Sequence, residues 1–506
     1  MNSLQQIAAN NEWLKILPEI ILGIWAMVLL LGDLLPKSLR PYLGSMTVGL
    51  VVGLLASLVG LLAFGRIGVE PHLCFNGLVL QDFRSEVFRC IFLALGVATL
   101  ILAQDFLAFR RLAFREFQFL VLIATGALML LAQANHFVMA FLALETVTIT
   151  SYVMVGYNRR DSRSLEAGLK YLIYGGLSAA CLLFGIVLLF GAASTPSFVE
   201  HVSHPLQFGE LAKVVANPDY ATHPLFMSGA ILVLVGIGFK IGAFPFQVWV
   251  PDVYQGSPLP TTFFLATASK MGGFVLLMNL CSPGGGPFFA FGPWLVPVLC
   301  VLAAGSLLMG NLGAIHQRHT KRIIGLSGVS HAGFLLMGVA ASFSQGFGEK
   351  AVIFYIVAYV LASIATFSVM AAVKRDADVD QTVDNYAELF RRQPLFGGIL
   401  AAGIGSMAGI PPLAGFLAKL LIFIAAWKAG FYVLIAIAVA CVPVSLFYYF
   451  GWLRAATVRQ VELPGSSAEQ ANMFRAEAGP AVKTLAVVAA VASVVLGIVP
   501  GLLMKF

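Results

Sequence analysis

The sequence predicts an all-α polytopic membrane protein with about fourteen transmembrane helices, and three observations support this class. Apolar residues make up 59% of the 506 residues and charged residues only 11%, whereas soluble domains carry about 25% charged residues. The apolar residues form long continuous runs, each suited to the roughly 20 residues of a membrane-crossing helix. Membrane barrels instead show alternating segments of about ten residues. A soluble enzyme, a disordered protein and a nucleic-acid binder are therefore excluded.

The apolar runs are numbered here as spans 1 to 14. They fall at 17–35, 42–64, 87–104, 117–133, 136–157, 165–192, 225–247, 259–281, 290–313, 321–342, 350–373, 394–428, 430–454 and 481–503. Glu12 precedes span 1, Pro18 and Glu19 open it, and no small-residue cleavage site follows it. We therefore expect a retained first helix rather than a signal peptide.

The distribution of Lys and Arg predicts the orientation of the chain. Connections after odd-numbered spans contain nineteen of these residues, whereas the other connections and the two termini contain eight. Because positively charged loops remain in the cytoplasm, both termini are expected on the periplasmic side. The same short loops account for the net charge of +7.

The longest segments outside the spans are 193–224, 374–393 and 455–480, and none is long enough to form a domain. The 374–393 segment is rich in acidic residues, and a solvated loop is its simplest interpretation. A docking surface for a neighbouring or cytoplasmic subunit is the alternative.

The cysteines predict no metal or redox centre in this chain. Six are scattered singly, without a CxxC pair or the spacing of metal ligands. They are Cys74, Cys90, Cys181, Cys281, Cys300 and Cys441. The expectation is therefore no metal site and no cofactor site, whether for an iron–sulfur cluster, haem iron or structural zinc.

Five ionisable residues fall well inside predicted spans. They are Glu145 in span 5, Lys170 in span 6, Lys240 in span 7, Lys270 in span 8 and Lys419 in span 12. Each charge at the bilayer centre costs at least ~2.5–3.5 kcal/mol on insertion scales, so residues of this kind usually mark a functional pathway. The alternative is that the lysines reach toward an interface or are neutralised in static pairs.

Polar residues recur on the same helix faces as these charges. On span 5 the aligned residues are Glu145, Thr148 and Tyr152, and on span 6 they are Lys170, Tyr174 and Ser178. On span 8 they are Thr262, Ala266 and Lys270, and on span 10 they are Ser327 and His331. His331 is the single histidine deep within a span, where it is either a hydrogen-bonded core residue or a proton carrier.

Proton transfer is the chemistry that such residues allow. Burial disfavours the charged form of a lysine, and a nearby carboxylate favours it. A lysine whose carboxylate partner can approach or withdraw is therefore a two-state proton store. Competing signatures, such as a phosphate-binding loop or a nucleophile elbow, do not occur in the sequence.

Two spans are predicted to be broken. Span 7 contains Gly238 to Pro245 and span 12 contains Gly409 to Lys419, both rich in Gly and Pro close to a lysine. Such interruptions free backbone groups that a wet or protein-lined interior must satisfy. Broken helices in corresponding positions of two halves indicate an inverted-repeat transporter.

The spacing of the charged residues favours the same repeat. Lys240 and Lys419 are 179 residues apart, and Glu145 and His331 are 186 apart. Two inverted five-helix repeats are therefore expected, spans 4–8 and spans 9–13. The predicted division of the chain is 1–116 for spans 1–3, 117–281 for the first repeat, 290–454 for the second, and 455–506 for a loop and span 14.

One stretch of the sequence runs from Phe239 to Pro258 as FKIGAFPFQVWVPDVYQGSP and continues through FLATASK, which ends at Lys270. This stretch resembles the antiporter-like membrane subunits of respiratory complex I, the NADH-quinone oxidoreductase, and among them subunit N. The segment EAGLKY around Lys170 and the segment SHAG around His331 support the resemblance. The likeness covers roughly 140–425, and a lysine at position 419 favours the N branch over M.

The resemblance implies a role for each charged residue. Glu145 and Lys240 would form a coupled pair in the first half-channel, with Lys170 beside them. Lys270 would relay protons between the halves, and Lys419 would be the terminal lysine. His331 would extend the hydrated axis.

The resemblance also implies a setting for the chain. It would be a multi-pass subunit of a bacterial cytoplasmic (inner) membrane complex, next to the sister subunit M and the small subunit K. Quinone, flavin and iron–sulfur clusters would belong to other subunits. An Mrp-type cation/proton antiporter subunit without redox partners is the first alternative, and a structural spacer with inert charges is the second.

Overall fold

The computed structural model describes residues 12–31, 71–195, 204–344, 346–373, 381–458 and 478–501. Its helices are α1 (Leu17–Leu31), α2 (Phe83–Arg110), α3 (Phe114–Ala132), α4 (Phe137–Val155), α5 (Ser162–Ala193), α6 (Phe208–Val215), α7 (Pro218–Ala221), α8 (Pro224–Ile241), α9 (Val250–Gly256), α10 (Leu259–Phe264), α11 (Lys270–Cys281), α12 (Gly292–Ile315), α13 (Thr320–Ser342), α14 (Phe347–Ala372), α15 (Leu389–Arg392), α16 (Pro394–Ala408), α17 (Ala414–Lys428), α18 (Tyr432–Thr457) and α19 (Pro480–Ile498). A small antiparallel hairpin, β1 (His72–Cys74) and β2 (Val79–Gln81), precedes α2.

The helices confirm the predicted fold class. Twelve of the described helices are long and apolar enough to cross a membrane. Spans 1 and 3 to 14 each coincide with described helices. Span 2, at 42–64, lies outside the described residues, as do 374–380 and 459–477 of the predicted loops.

Both predicted helix breaks are present. Gly242 follows the last residue of α8, and Gly409 follows the last residue of α16. Both glycines have a positive φ (66° and 87°), a conformation that glycine adopts without strain. The chain resumes in α9 after the first break and in α17 after the second.

The breaks correct the comparison between Lys240 and Lys419. Lys240 lies two residues before Gly242, whereas Lys419 lies ten residues after Gly409. The 179-residue offset therefore does not relate equivalent positions, because the lysines lie on opposite sides of their breaks. The division into inverted repeats stays a prediction.

Two segments form the centre of the molecule. The membrane-length segments Leu259–Cys281 and Thr320–Ser342 are buried along the whole of their apolar windows, whereas α5 and α19 are largely exposed. Within the first segment, a π-helical turn at Leu265–Ser269 comes directly before Lys270. A π-helical turn contains one more residue than an α-helical turn. Lys270 therefore does not lie on the same helix face as Thr262 and Ala266, although the sequence predicts that it does.

Two basic residues near the starts of spans 3 and 10 are buried in helices. The guanidinium of Arg89 on α2 donates to both carboxylate oxygens of Glu19 (2.8 Å each) and to Glu86 (2.7 Å). Lys321, near the start of α13, donates to the carbonyl of Ser257 (2.9 Å). Glu19 and Glu86 lie in the first turns of α1 and α2. The sequence analysis did not single out Glu86, because α2 starts four residues earlier than the apolar run does.

Candidate functional site

Glu145 and Lys240 lie on α4 and α8, close enough for their charges to interact. The buried ammonium of Lys240 donates to the hydroxyl of Thr148 (2.7 Å), which in turn donates to the carbonyl of Leu144 (2.7 Å). Thr148 is one helical turn from Glu145, so both groups border the same polar face of α4. The structure thus brings this predicted pair within electrostatic range, with the Thr148 hydroxyl bound to Lys240.

Lys170 lies on α5, within span 6 as predicted. Its side chain is 39% exposed and forms ion pairs with Glu166 (2.8 Å) and Asp252 (3.0 Å). Lys170 is therefore held in a static pair, the alternative that the sequence left open, and it is not buried like the other three lysines. Arg322 on α13 also binds Asp252 (2.8 Å).

Asp252 therefore joins three helices through two cations. Although burial favours the neutral carboxyl, hydrogen bonds from Lys170 and Arg322 hold the pKa of Asp252 below its usual value. The carboxylate is accordingly charged at neutral pH. It lies in a connection whose sequence gives no sign of the two partners.

Lys270 is buried at the start of α11, and its ammonium has no hydrogen-bond partner among the described residues. The space beside it exists because residue 328 is glycine. A methyl group at Gly328 would lie 2.7 Å from the Lys270 nitrogen and 3.4 Å from the hydroxyl of Tyr359. A buried ammonium without a protein partner requires water or another polar group nearby.

Lys419 is buried on α17 and binds the end of the preceding half-helix. Its ammonium donates to the carbonyl of Ala408 (2.8 Å), the last residue of α16. It also lies 5.3 Å from the ring centre of Phe334, within the range of a cation–π contact. The break in span 12 thus supplies a backbone oxygen to the lysine.

His331 lies between the last two lysines. One ring nitrogen is 2.7 Å from the hydroxyl of Tyr355, and the other is 3.3 Å from that of Tyr449. Lys270 and Lys419 both act on the imidazole electrostatically. The two readings of this histidine left open by the sequence are therefore compatible, since it is both hydrogen-bonded in the core and close to both lysines.

A cavity of about 10 Å³ adjoins His331, Tyr355, Tyr359, Ser406 and Lys419. A volume of roughly 10–15 Å³ is the least that holds one water molecule. The cavity lining combines an imidazole, hydroxyls and an ammonium, which can donate to and accept from such a water.

Buried tyrosines fill the region between the first pair and the central lysine. The rings of Tyr152 and Tyr171 are 5.2 Å apart, and the Tyr171 hydroxyl lies beside Ser269, the residue before Lys270. Tyr254 and Tyr359 are buried neighbours whose hydroxyls lack a partner among the described residues. The sequence analysis missed these residues apart from Tyr152. The one-turn spacing of Tyr355 and Tyr359 in span 11 was a signal that could have revealed part of the set.

The arrangement is a buried row of groups that bind and release protons. Its members are Glu145, Lys240, Lys270, His331 and Lys419, with hydroxyls of Thr and Tyr residues beside them. Lys170 lies at one side, in its own ion pairs. None of these groups has the geometry of a nucleophile with its base, whereas each can exchange a proton with water or a neighbour.

Comparisons with known proteins show the family of the chain. A family described as NADH:quinone oxidoreductase/Mrp antiporter, TM, matches residues 134–443. NADH-quinone oxidoreductase subunit N 1 of Opitutus terrae is 44% identical over 504 residues, which cover 99% of this chain and 98% of that protein. The subunit N of Nitrosomonas europaea is 32% identical over 487 residues, 96% of this chain and 95% of that one.

Solved structures show the same fold. A chain of respiratory complex I from Thermus thermophilus with bound aureothin matches with a TM-score of 0.76 at 30% identity, covering 96% of this chain and 98% of that one. A chain of the Mrp complex from Dietzia sp. DQ12-45-1b matches with a TM-score of 0.78 at 19% identity, covering 97% and 96%. The second match concerns the fold alone.

The fold and the buried ionisable row define an antiporter-like subunit of a multi-subunit membrane complex. The chain belongs to the subunit N family of NADH-quinone oxidoreductase, the respiratory complex I. It is a multi-pass membrane protein. The Mrp alternative is less supported, because the relatives with the higher identity are complex I subunits.

Proposed function

We propose that this chain translocates protons across the membrane, driven by quinone reduction in other subunits of its complex. The observation that carries the proposal is the buried row itself. Glu145, Lys240, Lys270 and His331 lie on helices long and apolar enough to cross a membrane, and Lys419 is buried on the shorter α17. An ionisable group inside a membrane is costly unless it has a function.

The first step of the proposed mechanism takes place at Glu145 and Lys240. A carboxylate that approaches a buried lysine favours its charged form, and withdrawal of the carboxylate favours proton release. Thr148 holds the Lys240 ammonium one turn from Glu145, so a small movement of α4 or α8 changes the strength of the pair. Redox-driven rearrangement elsewhere in the complex would supply that movement.

The released proton would then pass to Lys270 and on to Lys419, with His331 between them. The hydroxyl of Tyr171 next to Ser269 supports the first transfer. The cavity beside His331 supports the second, because it has room for about one water molecule. Groups that interact this closely titrate together, so the row acts as a unit.

The setting of the chain is also proposed. The positive-inside rule puts both termini in the periplasm of a bacterial cytoplasmic membrane. The partners would be the sister subunit M and the small subunit K, and the flavin, iron–sulfur clusters and quinone would be held by other subunits. This chain would therefore contribute translocation to the enzyme and no redox step.

The test is a Lys240→Ala variant in membrane vesicles that contain the assembled complex. Proton uptake per electron donor oxidised should fall by at least about tenfold, since a rise of ~1.4 kcal/mol in the barrier to proton transfer already has that effect. Lys213→Ala is the matched control, because Lys213 is an exposed lysine paired with Glu210 (2.7 Å) on α6. Donor oxidation with an artificial acceptor confirms assembly. Full pumping by Lys240→Ala would overturn the assignment.

A further inference from the structure

Three side chains with metal-binding atoms meet beside the hairpin, away from the ionisable row. The ligand atoms of Glu12, His72 and Cys74 all lie within 4.8 Å of one another. A nitrogen of His72 is 2.8 Å from a carboxylate oxygen of Glu12. Neither the proton row nor the family assignment uses these residues.

Strand geometry explains why two of the three residues converge. His72 and Cys74 are two residues apart on β1, and alternate residues of a strand point to the same face. Pairing of His72 with Gln81 and of Cys74 with Val79 fixes the strand. The Cys74 side chain is buried, whereas those of His72 and Glu12 are 51% and 42% exposed, so the cluster opens to solvent on one side.

Glu12 arrives from a separate segment that is anchored to the hairpin. The carbonyl of Lys15 accepts hydrogen bonds from Gln81 on β2 (3.0 Å) and from Arg89 on α2 (3.0 Å). The ring of Trp13 packs edge-on against Phe75 at 5.3 Å. These contacts hold the Glu12 segment in a fixed position relative to β1.

We propose that Glu12, His72 and Cys74 bind one Zn²⁺ ion and leave its fourth coordination position to water. Thiolate, imidazole and carboxylate are the ligands that zinc takes in proteins, at about 2.0–2.3 Å. Ligand atoms at those distances in a tetrahedron are roughly 3.3–3.8 Å apart. The His72–Glu12 pair must therefore open by about half an ångström, which two half-exposed side chains can do.

The charges of the cluster suit a divalent cation. The Cys74 thiolate and the Glu12 carboxylate together balance the two positive charges of zinc. Zinc binds cysteine as the thiolate, so the metal would take the place of the Cys74 thiol proton. A bound metal would link the Glu12 segment, which precedes α1, to the hairpin. The site would therefore stabilise the N-terminal helices rather than take part in translocation.

The first test is cobalt binding by the full-length chain in detergent. Co²⁺ replaces Zn²⁺ at such sites and gives a thiolate-to-cobalt charge-transfer absorption, which reports on the sulfur ligand directly. One equivalent of Co²⁺ should produce this band, and Zn²⁺ should abolish it. Cys74→Ser should remove the band, and His72→Ala should weaken binding at least tenfold.

Matched controls distinguish this site from adventitious binding. Cys90→Ser removes an exposed thiol, and His316→Ala removes a histidine from a distant loop, so both should bind like the unaltered chain. Retention of the charge-transfer band in Cys74→Ser, or its loss in Cys90→Ser, would overturn the proposal. So would the absence of any band at one equivalent.

Thermal unfolding gives a readout that does not depend on the sulfur. Zn²⁺ should raise the unfolding temperature of the full-length chain, since a ligand that binds only the folded state stabilises it. Glu12→Gln should reduce this shift while leaving the zinc-free unfolding temperature nearly unchanged. An equal shift in the unaltered chain and in the His72→Ala and Cys74→Ser variants would exclude the cluster as the source.

Discussion

Each of the three lysines of the buried row has a different immediate environment. Lys240 donates to the Thr148 hydroxyl, Lys419 donates to a backbone carbonyl, and Lys270 has no hydrogen-bond partner in the described part of the chain. An ammonium without a fixed acceptor depends most on local water for its charged state. Lys270 is therefore the residue whose protonation should respond most strongly to a change in the space around it.

Substitution of Gly328 tests this dependence. In Gly328→Ala the new methyl group would lie 2.7 Å from the Lys270 nitrogen. Because the obstructed atom is the end of a flexible side chain, the lysine should move rather than the helix. We expect a several-fold loss of proton translocation in vesicles, with stability changed by less than about 1 kcal/mol because alanine also favours the helix.

Gly176→Ala is the control for that variant, because nothing lies within 4 Å of a methyl group there. It should translocate protons normally. A Gly328→Ala complex that pumped as well as Gly176→Ala would show that the position of Lys270 does not limit transfer.

At the scale of elements, the broken helices show what the sequence could predict. The Gly and Pro content of spans 7 and 12 indicated both interruptions, since these residues cannot continue a helix without leaving backbone groups unpaired. The side of the break on which each lysine lies was also readable from the sequence. The hydrogen-bond partner of Lys419 could not be predicted from the sequence, because it is a backbone carbonyl that the break leaves without a helical partner.

The glycine at the second break has a conformational requirement that can be measured. Gly409 has a φ of 87°, and a methyl group there would lie 3.0 Å from the Lys419 side chain. Gly409→Ala should destabilise the protein by about 1–2 kcal/mol, the cost of a left-handed conformation for an L-residue. Thermal unfolding in detergent measures the change.

Gly398→Ala is the matched control on the same half-helix, because it has no neighbour within 4 Å and an ordinary helical φ. It should be neutral or more stable by roughly 0.5–1 kcal/mol. Equal unfolding temperatures for the two variants would contradict a strained position at Gly409.

The π-helical turn before Lys270 could not be predicted from the sequence. Residues 265–269 are small or apolar and fit an α-helix equally well. The extra residue in the turn arises from packing in a fully buried segment, where tertiary contacts override local preference. Its effect is to rotate Lys270 away from the stripe of Thr262 and Ala266.

At the scale of the whole molecule, Asp252 connects parts that are distant in sequence. Helix α9 packs between α5 and α13, and the Asp252 carboxylate binds Lys170 from the first and Arg322 from the second. A movement of α9, which follows the Lys240 break, therefore changes contacts on both neighbours.

Removal of this charge should affect translocation more than stability. The Asp252 side chain is 42% exposed, so solvent screens its ion pairs and Asp252→Asn should cost no more than about 1 kcal/mol. We expect a measurable loss of proton translocation, because α9 is released from both cations. Glu210→Gln, at the isolated surface pair with Lys213, is the control, and the same activity in both variants would refute the connecting role.

The sequence was enough to predict which charged residues lie in the helices, but it was not enough to predict which residues they contact. Charges inside long apolar runs were recognisable as exceptions to membrane composition, and this identified Glu145, Lys240, Lys270 and Lys419. The cluster at Arg89 was missed because a polar helix start resembles a loop. The pairing of Lys170 with Asp252 was missed because 82 residues separate them.

The contact between Lys419 and Ala408 has one more consequence. The last carbonyls of α16 carry the partial negative charge of a helix end, so this ammonium finds its counter-charge in the main chain. No side-chain replacement at position 408 can delete that acceptor, and acidification cannot neutralise it. An alanine scan of the region would consequently overlook the group that balances the final lysine. An ester in place of the 408–409 peptide bond, made by chemical protein synthesis, would weaken this acceptor, and it would also remove the Gly409 N–H that caps α16.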